Sequence, residues 1–72
     1  MTLKEKIYAI KVATKLNAIV QEAIKNFDTI CFLKYNALKN EVANTCFIKN
    51  YSSKIYMTFF TKTLNEWIEE SK

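Results

Sequence analysis

The sequence predicts an all-α domain: a small antiparallel three-helix bundle, with a short extra helical turn near residues 46–51. Three observations point there. Glycine and proline are both absent, so tight hairpin turns lose the residues that favour them and no glycine-rich loop can cradle a nucleotide. Half of the residues are hydrophobic. Long stretches without a breaker then place those residues at the three-to-four spacing of an amphipathic helix. With 72 residues, the chain forms one domain over 1–72. A chain of that size buries only about 60% of the surface its unfolded state exposes, so rich packing or association must support it.

Residues 3–26, LKEKIYAIKVATKLNAIVQEAIKN, read as the first helix, about six turns long. Ala9, Val12, Ala13, Leu16, Ile19, Val20, Ala23, Ile24 and Phe27 fall on one broad face, with Lys4, Lys11, Lys15 and Glu22 opposite. Leu3, Ile7 and Ile10 lie off the main stripe, on a second flank. Asn26-Phe27-Asp28 reads as a junction: Asn26 tolerates the left-handed conformation that ends helices, and the Asp28 carboxylate can cap the next one.

In TICFLKYNALKNEVANTCFIKN, the positions Cys31, Tyr35, Leu38, Val42 and Cys46 line one side of a helix. Ile30, Leu33 and Ala37 lie on another side, and Asn36, Asn40 and Asn44 recur every fourth position as a polar ridge. The β-branched and aromatic run TICFLKY also fits a strand, but a lone strand has no mate here, which favours helix. Asn44-Thr45 is a candidate break, leaving CFIKNY as a short turn or one more helical turn. Ser52 or Ser53 can cap the last helix, whose face is Tyr56, Phe59, Phe60, Thr63, Leu64 and Trp67, widened by Met57 and Ile68. Four of the ten aromatic residues fall within its twelve positions 56–67. Phe59 and Trp67 are expected to be buried together with Leu16 and Val20. A three-helix bundle covers only part of each helix, which leaves Met57, Leu64 and Ile68 without a place inside.

The chemistry-bearing residue types are sparse. No histidine is present, which removes imidazole as a base, a metal ligand or a switch near neutrality. Ser52-Ser53-Lys54 and Cys31-Phe32-Leu33-Lys34 set nucleophile types near lysine, as chance allows in so lysine-rich a chain. Glu66, Glu69 and Glu70 read as a solvated helix end. Cys31 and Cys46 stand about 22 Å apart if one straight helix carries both, beyond disulfide reach, though a break near Asn44 would bring them together; two thiols alone make a weak zinc site, and two buried apolar thiols are the favoured reading. No enzyme activity, cofactor or metal is expected.

The net charge is +4, and lysine supplies all eleven basic residues. Base readout and bidentate phosphate clamping favour arginine, which is absent, and a lysine- and asparagine-rich chain equally reflects AT-rich coding. The expected function is therefore protein binding: a regulator, adaptor or inhibitor acting through apolar helix surfaces as a homo-oligomer. Its expected interface is Leu3, Ile7, Ile10, Met57, Leu64 and Ile68. The alternative is a nucleic-acid-binding regulator contacting phosphates through Lys4, Lys11 and Lys15. A weaker third reading docks the aromatic helix on a membrane surface, against which the charges of Glu69 and Glu70 speak. No window is long and apolar enough to span a bilayer, no secretory signal opens the chain, and the expected setting is the cytoplasm.

Overall fold

In the computed structural model, which describes residues 1–72, the chain forms four helices: α1 (Leu3–Lys25), α2 (Thr29–Ile48), α3 (Ser53–Phe60) and α4 (Leu64–Ser71). Helix α1 begins at a reciprocal cap. The Thr2 hydroxyl accepts from the Glu5 N–H at 3.2 Å, and Glu5 Oε1 accepts from the Thr2 N–H at 3.1 Å, so two otherwise orphaned donors are satisfied. The buried stripe of α1 is Val12, Leu16, Val20 and Ala23. It is narrower than the sequence face, for Ile24 and Phe27 remain 40% and 50% exposed.

Asn26 ends α1 at a negative φ of −150°, rather than in the left-handed conformation expected of it. The Asp28 carboxylate caps α2 as expected, accepting from the Cys31 N–H at 3.2 Å. Helix α2 is unbroken at Asn44-Thr45 and runs through Ile48, so the separate turn expected near residues 46–51 is mostly its last turn. Its stop is at Asn50, whose φ of 54° is positive. The Tyr51 N–H then reaches the Cys46 carbonyl at 2.9 Å and the Asn50 N–H reaches that of Phe47 at 3.4 Å. This paired closure uses asparagine where glycine is commoner, since asparagine tolerates the left-handed region.

Two cross-helix ion pairs mark the register of α1 against α2. Lys15 meets Glu41 at 3.3 Å and Lys34 meets Glu22 at 3.0 Å, an antiparallel hairpin. Helix α3 returns beside α2. Near its start Tyr8 stacks on Tyr51 with centroids 5.5 Å apart, and at its end Phe60 meets the edge of Tyr35 at 5.6 Å. Helix α4 lies across α1. Trp67 and Ser71 sit by Ala13, Leu16 and Asn17, while Ile68 and Glu69 sit by Ala23 and Ile24.

The expected three-helix bundle is thus corrected to four helices, because the last segment breaks at Thr61-Lys62-Thr63. A second reciprocal cap starts α4 there: the Thr63 hydroxyl accepts from the Glu66 N–H at 3.2 Å, and Glu66 Oε1 accepts from the Thr63 N–H at 3.2 Å. The carbonyls freed by the break are taken up by tertiary partners. The Trp67 indole N–H donates to the Phe59 carbonyl at 3.0 Å, and the Tyr35 hydroxyl donates to the Lys62 carbonyl. Leu64 and Ile68 then point inward and join the thirteen-residue core. Phe59 and Trp67 are only half-buried, packed on its edge beside Leu16 and Val20.

Candidate functional site: the outward face of α2

Helix α2 carries apolar residues on two opposite sides. Its inward side, Cys31, Tyr35, Leu38, Val42 and Cys46, is buried as its spacing implies. The opposite side has no cover in the monomer: Ile30 is 55% exposed, Leu33 62%, Phe47 86% and Ile48 69%. An amphipathic helix ordinarily carries one apolar stripe towards its core, so the uncovered apolar residues on the second side are the feature of this chain that the monomer fold does not use.

The outward residues form an ordered row. Ile30, Leu33, Ala37, Asn40, Asn44 and Phe47 all lie exposed and follow one another at steps of 3, 4, 3, 4 and 3, the seam spacing of a coiled coil. The apolar positions Ile30, Leu33 and Ala37 begin it, and Asn40 and Asn44 of the polar ridge carry it on to Phe47. The signal was present in the chain as a 3.5-residue period set opposite the core stripe, and the two asparagines within it hide it.

Charged side chains edge the row on the α1 side. Lys34 is held by Glu22, whose hydrogen bond and charge raise the ammonium above the usual lysine range, and Glu41 is held by Lys15. These pairs are solvent-exposed and contribute little to stability, but they fix where the charges stand.

The residues expected to form the protein interface separate. Leu64 and Ile68 are 2% and 7% exposed, which removes them from any partner surface: the break at 61–63 turns them into the core. Met57 stays exposed on α3, as do Leu3, Ile7 and Ile10 on α1. The expected flank on the last helix therefore reduces to one methionine, an ordinary surface feature. Lys4, Lys11 and Lys15 are all exposed on α1. Lys15 is engaged by Glu41, while Lys4 and Lys11 make no ion pair.

Beside the seam, an open hollow of about 420 Å³ lies between α2 and α3, walled by Ala43, Cys46, Phe47, Tyr51 and Tyr56. Both cysteines are buried and unpaired. Burial, with the Glu5 charge adding to it, pushes the Cys46 thiol up, so at neutral pH it is a protonated, weakly nucleophilic group. Glu5 ties the start of α1 to the cap of α3. Its Oε2 accepts from the Ser52 N–H at 2.7 Å, and the bonds from Ser52 and Thr2 hold its carboxyl below the usual carboxylate range. Burial raises the Tyr35 hydroxyl, in keeping with its role as a donor. No helix is long and apolar enough to cross a membrane. No family model, curated protein or solved structure matches the chain.

Proposed function

We propose that this protein is a non-catalytic protein-binding module, a regulator, adaptor or inhibitor, and that its docking surface is the outward face of α2. The observation that carries the reading is the uncovered row Ile30, Leu33 and Phe47 on a helix whose other side is fully used by the core. Burying such residues against a partner removes apolar area from water, each fully covered side chain contributing about 1.5–3 kcal/mol before the costs of association. The coiled-coil spacing specifies the shape of what fits, namely another helix.

The test is capture from the native source with the wild-type chain and with L33E/F47E, each with and without nuclease. Both substituted positions are exposed, so the variant should fold. Nuclease-resistant capture that the variant loses supports the reading; equal capture by both chains overturns it. Capture abolished by nuclease favours the alternative regulator acting through Lys4, Lys11 and Lys15. That alternative further requires binding to duplex or single strands at low salt, with a salt dependence flattened in K4Q/K11Q/K15Q.

A further inference from the structure

We infer that the outward face of α2 pairs with the same face of a second copy, antiparallel about a two-fold axis perpendicular to the helix near residues 38 and 39. The inference rests on the proposed docking face and names its occupant. Self-complementarity is what selects a second copy. Setting residue 30 of one chain against residue 47 of the other places Ile30 on the partner's Phe47 at both ends of the seam. Ala37 lies opposite the partner's Asn40 at its centre, where the small alanine leaves room for the two Asn40 amides to meet across the axis.

The charges repeat that complementarity. On the α1 edge of the seam, the antiparallel arrangement sets Glu41 beside the partner's Lys34, offset by two residues or about 3 Å of helix rise. Within each chain Glu41 already holds Lys15 and Lys34 already holds Glu22. The dimer therefore aligns Lys15, Glu41, the partner's Lys34 and the partner's Glu22 in one row of alternating sign, and the two-fold generates the row twice. A parallel pairing makes no such row, and it would also align the two helix dipoles unfavourably. An unrelated helix must bring its own acid and base at matching positions; a second copy carries them by symmetry. Leu33 against the partner's Asn44 is the weak layer of the seam. Together with the small area of one helix face, it sets the pairing among weak associations.

Sedimentation equilibrium from low to high micromolar concentration tests the dimer, with L33E/F47E as the interface variant and circular dichroism as the check on its fold. The wild type should pass from monomer to dimer, and the variant should weaken association more than about tenfold. A wild type that stays monomeric throughout, or a dimer equally stable in the folded variant, overturns the inference. Orientation is read by cross-linking with a short bismaleimide, which the buried native thiols evade. I30C mixed with F47C should link across chains, whereas I30C alone should not. Efficient linking of I30C to itself would mean a parallel pair and overturn the arrangement. The two failures are distinguishable: a monomeric protein that still captures a partner through the α2 face rejects the second copy and leaves the docking surface standing.

Discussion

The α1–α2 hairpin and the α3–α4 segment are built by different means. In the hairpin, two helices of 23 and 20 residues follow the hydrophobic period closely, and the buried side of α2 coincides with the five positions its spacing marks. In the last segment, two helices of eight residues each depart from a period that would carry one helix straight through. A helix of eight residues has little intrinsic stability. Its ends and its tertiary partners therefore decide it: the Thr63–Glu66 cap, the Trp67 indole on Phe59 and the Tyr35 hydroxyl on Lys62. Periodicity governs where many turns add up, and single hydrogen bonds govern where few turns exist.

The sharpest way to break this contrast is in the hairpin. L16A removes a buried side chain from the long stripe and should cost about 2–5 kcal/mol in chemical denaturation; a change within about 0.5 kcal/mol would be that of a surface site. Next comes the bridge between the two regions. Y35F deletes only the hydroxyl that serves the Lys62 carbonyl and should cost about 1–3 kcal/mol. Amide exchange should quicken around residues 61–63 more than in α1. A uniform rise across the chain would show that the bond is not local to the break.

The cap itself is worth less. T63A should cost about 1 kcal/mol, and its chemical shifts should show α3 and α4 drawing towards one helix through residues 61–63. A break that persists unchanged would mean that the tertiary bonds alone hold it. The smallest effect at neutral pH belongs to Glu5, which joins the start of α1 to the start of α3. Its carboxyl titrates below the usual range, so its contribution is present above the ordinary carboxylate value, about pH 4, and is lost as pH falls through the lower folded value. Acid titration of stability should therefore be shallower in E5Q than in wild type; parallel curves would remove Glu5 from the acid response.

Much of the hairpin was legible in the residues. Asp28 could be named as a cap, and Ser52 as one of two neighbouring serines, because their side chains act within three positions of themselves. The left-handed stop was assigned to Asn26 and occurs at Asn50, since either asparagine tolerates that backbone and only the packing of Tyr51 and Cys46 selects one. The final break was partly legible: Thr63-Leu64-Asn65-Glu66 repeats the pattern of Thr2-Leu3-Lys4-Glu5, and both form reciprocal caps. The stronger impression of a continuous aromatic face concealed it. The α2 seam was equally legible as spacing, but its exposure was not.

By itself, the sequence determined the helical class, the first long helix, the buried side of α2, the centre of the α1 stripe and the absence of histidine and arginine chemistry. These follow from composition and from periods summed over several turns, which local physics enforces. Only the tertiary structure decided that the last segment folds back, that Leu64 and Ile68 enter the core, and that α2 keeps Ile30, Leu33 and Phe47 in solvent. Those outcomes depend on which of two apolar faces finds a neighbour, and neighbours are distributed by the packing of the whole chain. A helix apolar on both sides states that both need cover; the fold alone shows which side still lacks it.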